Sequence, residues 1–231
     1  MPKSAAPRPA ALLDVDGTLV DSNDAHARAW VEVLAEAGHQ VPFDRVRRLI
    51  GKGGDKLVPE VTGRDDAKWA KELGERRSVI FFERHLDGIR PFPQVRALLE
   101  RMKASGLALV VATSANEEEL DKLLAIAGVA DLLDEQATKD DAKHSKPDPD
   151  IVGAALKRAG IDADHAIMLG DTPYDVEAAR NAGVGTVAVE SGGWKAAELA
   201  GAVAVYADVA ALLAAFDASP FARLARGRRA A

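Results

Sequence analysis

Two hydrophobic rhythms alternate along the chain. Short apolar runs with little polar alternation, at Ala10 to Val15, Leu107 to Thr113, Ala166 to Leu169, Thr186 to Val189 and Val203 to Tyr206, read as strands covered on both faces. Between them apolar positions recur at helical spacing: Val95, Leu98, Leu99 and Met102 share one face, as do Leu120, Leu123, Leu124 and Ala127. Gly106, Gly128, Gly160 and Gly183 stand where helices should stop. Strand and helix in alternation predict a layered α/β fold on a parallel sheet.

From about Asp21 to Gly88 the rhythm breaks into helical pattern alone. Trp30, Val33, Leu34 and Ala37 form one stripe, Leu57, Val58 and Val61 another, and Trp69 to His85 a third, before Pro91 and Pro93 mark the return to the sheet. Residues 1–20 and 89–231 are therefore expected to form the sheet domain, and 21–88 a helical insertion. Placed just after the first strand, the insertion would cover the C-terminal edge of the sheet, where such sheets bind ligands, and could serve as a lid.

The candidate chemistry gathers at that same edge. Asp14 and Asp16 flank the end of the first strand with i, i+2 spacing, so both carboxylates can face one small volume, where a hard cation such as Mg²⁺ would relieve their repulsion. Thr113 and Ser114 close the second run and offer hydroxyls and fresh N–H groups before a helix opening near Glu117. Lys146, held out of helix by Pro147, supplies a point charge for an anion, and Asp171 and Asp175 add two carboxylates after the run Ile167 to Leu169, completing an oxygen-only metal site.

DVDGTLVDS, VVATSA, SKPDPDI and GDTPYDVEAARNAG, in this order, resemble the four motifs of the haloacid dehalogenase superfamily of aspartate-nucleophile enzymes, over about Ala10 to Leu213. The resemblance implies a Rossmann-like doubly wound core, an inserted all-helical cap and dependence on Mg²⁺. It implies that Asp14 is the nucleophile and Asp16 the general acid and base. Asp14, the backbone carbonyl of Asp16, and Asp171 would hold the metal, with Asp175 in support, while Thr113 and Lys146 would bind phosphate. Superfamily members that cleave carbon–halogen or carbon–phosphorus bonds generally lack an Asp at position 16, so the chain resembles the enzymes of phosphate esters.

The segment from Asp14 to Trp30 is similar to the β-phosphoglucomutase-like and phosphoglycolate phosphatase-like subgroup. There His26 is a cap-hinge candidate near Asp16, a helix-surface histidine being the plain alternative. Glycine stands near the position of the mutase's cap arginine, although Lys52 could substitute, and Asn116 stands where the mutase carries a lysine. Both departures favour a phosphatase of a small phosphorylated metabolite over a sugar phosphomutase. A non-catalytic phosphate-metabolite binder is the third reading.

Composition narrows the partners. The 231 residues are 48% apolar and 29% charged, with net charge -6, which argues against a general nucleic-acid binder. No run reaches transmembrane length, and Met1 to Pro9, with Lys3 and Arg8 but no apolar core, reads as a frayed start and not a signal peptide. Arg223, Arg226, Arg228 and Arg229 read as a solvated basic tail. The absence of cysteine is compatible with a cytoplasmic protein, and the absence of a spare apolar stripe suggests a monomer.

Overall fold

In the computed structural model, which describes residues 8–227, the first apolar run forms β1 (Ala10–Leu13), every residue of which is buried. It lies between β2 (Ala108–Ala112) and β4 (Ala166–Gly170), parallel to both. With β3 (Glu135–Ala137), β5 (Gly185–Val189) and β6 (Ala204–Tyr206) the sheet has the order β3-β2-β1-β4-β5-β6, parallel throughout. The strands lack polar alternation because both faces are covered. Ala11, Leu13, Val111 and Leu169 pack with α5 (Val95–Ala104), α6 (Glu117–Ala127), α9 (Val209–Ala214) and α10 (Pro220–Ala225). Leu12, Val110, Ala112 and Met168 pack on the other face against α7 (Asp150–Ala159) and α8 (Pro173–Asn181). Fully burying a side chain such as Leu12 contributes about 1.5–3 kcal/mol, which places the anchor of the fold directly beneath the site.

This is the expected doubly wound α/β sheet, and its order reverses between β1 and β4, where such sheets form a ligand crevice. Leu13 pairs with both Val111 and Leu169, so the residues that follow β1, β2 and β4 emerge at nearly one level.

Between β1 and α5 come α1 (Asn23–Glu36), α2 (Phe43–Arg47), α3 (Gly54–Thr62) and α4 (Ala67–Ile80), which runs on into a π-helical turn at Phe81–His85 and a 3₁₀ turn at Leu86–Gly88. The Asp66 carboxylate caps α4 by accepting from the Trp69 amide at 3.0 Å. Trp30, Leu57 and Ile80 belong to the same continuous apolar cluster as Leu13 and Leu169. Entry to and exit from the helical segment are stitched together, since the Asp21 amide donates to Arg90 O at 2.9 Å and Val20 bridges Pro91.

Several expectations need correction. β3 is absent from the sequence reading because Glu135-Gln136-Ala137 is short, polar and at the sheet edge. Arg8 and Pro9 are not frayed: the Arg8 guanidinium donates to Gly106 O and Leu107 O, and Pro9 O accepts from the Ala108 amide at 2.8 Å. In the basic tail, Arg223 and Arg226 donate to the carbonyls of Ala218 and Asp217, whereas Arg228 and Arg229, like Met1 to Pro7, lie outside the described residues. α6 and α7 do stop at Gly128 and Gly160. Among the described residues no helix is long and apolar enough to cross a membrane.

Candidate active site

Asp14 is the first residue past β1, and its amide still donates to Leu169 O of β4 at 2.9 Å, which fixes the backbone from which its carboxylate projects. Asp171 occupies the equivalent place after β4. Its Oδ1 accepts from Thr18 Oγ1 and its Oδ2 from Asn23 Nδ2, each at 3.0 Å. Two glycines press on it: a Cβ at Gly17 or Gly192 would stand 2.2 or 1.6 Å from Asp171 Oδ2, so neither backbone could come this near with any side chain attached. Asp175 sits in the first turn of α8, where Oδ2 accepts from the Thr172 amide at 2.9 Å and from Thr172 Oγ1 at 2.6 Å in a capping box.

Lys146 enters from the loop before α7, is joined to the following Pro147 by a cis bond, and is 1% exposed. Its Nζ donates to Asp14 Oδ1 at 2.5 Å and lies 2.7 Å from Asp175 Oδ1, a charge contact without hydrogen-bond alignment. Two buried carboxylates thus share a single ammonium, and Asp171 beside them has no cationic partner among the described residues. Burial is the largest influence on Asp14 and pushes its pKa up to about 7 against the pull of Lys146, with Asp175 and Asp16 adding to the rise. Burial, Asp175 and Asp14 likewise raise Asp171 well above the usual carboxylate range. On Lys146 the attraction of Asp14 and Asp175 outweighs burial and raises the pKa.

Fully ionised, this cluster would carry two uncompensated negative charges in a dry site. Oxygen atoms of Asp14, Asp171 and Asp175 lie within 4.8 Å of one another, and Asp175 Oδ1 is buried without a hydrogen bond. The donor set therefore fits a hard divalent cation: it is all oxygen, and its charge deficit is that of one such ion.

The Asp16 side chain turns away from this cluster, contrary to the simplest i, i+2 expectation, because the chain leaves strand geometry after Leu13. Its Oδ1 accepts from Ser22 Oγ and from His26 Nε2, the latter at 2.7 Å, while Oδ2 makes no hydrogen bond among the described residues. Burial is the largest influence and would raise its pKa, but His26, Ser22 and Arg77 together bring it below the usual carboxylate range. His26 is not a surface histidine: it is 5% exposed and stacks on Phe81 at 4.2 Å.

A cavity of about 690 Å³ opens above these groups, lined by Asp14, Asp16 and Thr113 on the sheet side and by Trp30, Lys52 and Arg77 on the helical side. Thr113 is buried, and its Oγ1 accepts from the Ala115 amide at 3.1 Å. The Ser114 hydroxyl is drawn off instead, donating to Gly51 O at 3.2 Å, and thereby ties the loop after β2 to the helical segment. Lys52 faces the cavity with a committed ammonium, 2.5 Å from Glu60 Oε2 and over the Tyr174 ring. Asn116 caps α6 by accepting from the Glu119 amide at 2.8 Å.

Sequence reasoning did not single out Ser22, Asn23, Arg77 or Glu119. Ser22 closes the first motif and Asn23 follows it, so both were readable as polar residues near Asp16. Arg77 and Glu119 carried no local signal, since each resembles an ordinary surface charge on a helix until the fold buries it against the other at 3.0 Å.

Carboxylates gathered around one ammonium at the switch point of a doubly wound sheet, beneath an open cavity, stand where α/β enzymes place their active sites. The chain belongs to the haloacid dehalogenase-like hydrolases, whose family model matches residues 11–189. It is 32% identical over 181 residues to pyrophosphatase PpaX of Bacillus velezensis, covering 78% of this chain and 82% of that one. With phosphoglycolate phosphatase of Rhodospirillum rubrum it shares 35% identity over 215 residues, 88% of each chain. The crystal structure of a hydrolase from Pseudomonas syringae superposes with a TM-score of 0.84 at 30% identity, covering 91% of this chain and 98% of that one.

Proposed function

We propose that the protein is a Mg²⁺-dependent phosphatase that hydrolyses a small phosphate monoester through a phosphoryl group carried on Asp14. The observation that carries this reading is the joint placement of Asp14, Lys146, Asp171 and Asp175 in one buried cluster with Asp16 beside it on the cavity wall. When bound, Mg²⁺ would be held by Asp14, Asp171, the backbone carbonyl of Asp16 and, directly or through water, Asp175; it would neutralise charge on the transferring group and keep Asp14 ionised.

In the first step the Asp14 carboxylate attacks phosphorus and the P–O bond to the leaving group breaks. The departing oxygen takes a proton from Asp16 Oδ2, the oxygen left clear by Ser22 and His26. Asp16 is ionised before substrate arrives, so that proton is supplied by a substrate monoanion, whose second phosphate pKa is about 6. In the second step Asp16 takes a proton from water as the water oxygen attacks phosphorus, and the bond to Asp14 breaks to release phosphate. Lys146 and Thr113 are assigned to the phosphate oxygens, the lysine also tempering the charge of its carboxylate neighbours. Residues 21–88 act as a cap that excludes water and selects the leaving group. Ser114 and Lys52 are retained as weaker candidates for substrate contact, because each has its polar group engaged elsewhere.

Phosphoglycolate and pyrophosphate are the first substrates to test, given the names of the relatives. A panel of these with sugar monophosphates, assayed for phosphate release with and without Mg²⁺, tests the reading: metal-dependent release lost in Asp14→Asn supports it, and undiminished release in that variant refutes it. The phosphomutase reading is not favoured, because Asn116 is occupied as a helix cap and neither relative described above bears a mutase name.

A further inference from the structure

Behind Asp16 lies a chain of buried polar groups that leads away from the metal cluster. His26 Nε2 meets Asp16 Oδ1, and on the far side of the ring His26 Nδ1 lies 3.2 Å from Arg77 Nη1. That same Nη1 donates to both oxygens of Glu119, at 3.1 and 3.0 Å. The groups come from three places: His26 from α1, Arg77 from α4 and Glu119 from the first turn of α6, on the core side of the cavity. Arg77 is 8% and Glu119 1% exposed, and the guanidinium lies between the rings of Trp30 and Phe81, at 5.5 and 5.9 Å.

A guanidinium can only donate: Nη1 shares its two hydrogens among His26 Nδ1 and the two Glu119 oxygens, and its contact with Nδ1, at 3.2 Å, is closer than that of Glu119 Oε1, at 3.7 Å, so the ring nitrogen accepts. His26 Nδ1 is therefore the bare nitrogen, the ring proton sits on Nε2, and Nε2–H points at Asp16 Oδ1. With Ser22 donating to the same oxygen, both donors converge on Oδ1 of this cavity-lining residue and leave Oδ2 clear as the proton-carrying oxygen. We propose that Arg77, anchored by Glu119, is a positioning residue that holds His26 as an Nε2–H donor and so dictates which oxygen of Asp16 exchanges protons with the leaving group. Glu119 has a defined part in this arrangement: it keeps the guanidinium at Nδ1 and balances its charge in a site where an unpaired cation would be costly. The link also joins the helical segment to the sheet domain, so Asp16 is fully oriented only when α4 is seated on α6. This proposal rests on the reading of Asp16 as general acid.

Two measurements test it. In protein labelled with ¹⁵N-histidine, at mildly alkaline pH, His26 Nδ1 should resonate as an unprotonated nitrogen accepting a hydrogen bond and Nε2 as a protonated one; the signals are assigned by their loss in His26→Gln. The double variant Arg77→Met with Glu119→Leu removes both charges together and keeps the site filled, so folding is spared the burial of a single unpaired charge. In it the Nδ1 resonance should move downfield as the donor disappears. A proton on Nδ1 in the wild type, or an unmoved resonance in the variant, would overturn the proposal.

The second measurement is first-turnover release of the leaving group from an aryl and an alkyl phosphate. An aryl oxide departs without help and an alkoxide needs the acid. The double variant should therefore lose about tenfold on the alkyl ester, part of the about 10²–10⁴-fold that general acids supply, and keep its aryl rate within about twofold. Equal losses on both esters would reduce Arg77 and Glu119 to structural roles. Asp16→Asn separates the two failures: if it shows no preference for the aryl ester, the acid assignment itself is wrong, and the resonance of His26 still decides what Arg77 does.

Discussion

Replacing Asp14 by Asn should make the metal-free protein more stable at neutral pH while abolishing turnover. The Asp14 carboxyl has its pKa pushed from 3.8 up to about 7 in the fold, chiefly by burial. A carboxyl whose pKa is higher folded than unfolded binds its proton more tightly in the fold, so its ionisation subtracts stability. The loss begins above pH 3.8 and is complete once the pH passes about 7. From pH 5 to pH 8 two units of that difference remain to be lost, at about 1.36 kcal/mol each, so wild type should lose about 3 kcal/mol relative to Asp14→Asn. The assay is urea unfolding of both proteins with a chelator present, at pH 5 and pH 8; Asp171, whose pKa the Asp14 charge also raises, titrates lower in the variant, which widens the difference in the same direction. Mg²⁺ should then close most of that gap at pH 8, stabilising wild type by about 2.7 kcal/mol at one hundred times Kd and the variant by far less. Parallel pH dependence in the two proteins would refute the claim that Asp14 is held in a site short of positive charge.

Further outcomes follow from the same cluster. Lys146→Met removes its only ammonium, leaving Asp14 and Asp175 without a counter-charge; phosphate release should fall by at least about 10²-fold, and metal-free stability at pH 8 by about 3–5 kcal/mol, the usual cost of breaking a buried pair. Unchanged turnover would remove Lys146 from the site. Gly192→Ala would drive a methyl to 1.6 Å from Asp171 Oδ2, so Mg²⁺ affinity measured by calorimetry should weaken about 10–100-fold, whereas equal affinity would show that Asp171 is not a ligand. Lys52→Ala should change KM little for any ester, because its ammonium is held by Glu60; a rise confined to the best substrate would restore it to substrate binding.

Much of this site was legible in the sequence because strand ends are. Asp14, Thr113 and Asp171 each follow an apolar run, and parallel pairing in register brings such positions together. Lys146 was visible only through its motif, since a lysine in a proline-rich loop has no periodicity to place it. The reading of Asp16 as a second side chain facing the same cation failed where strand geometry ended, two residues earlier than the run suggested. Arg77 and Glu119 were beyond reach: they lie far apart in the chain, and their burial depends on how α4 seats against α6. β3 escaped because an edge strand of three residues need not be apolar.

Whether Asp14 carries the phosphoryl group is decided by acid-quenching the enzyme during turnover and mapping the modified peptide by mass spectrometry. One phosphoryl group is expected on the Asp14 carboxylate, with borohydride converting that residue to homoserine, and none in Asp14→Asn. Turnover with no phosphorylated peptide, or with the phosphoryl group on another residue, would contradict it.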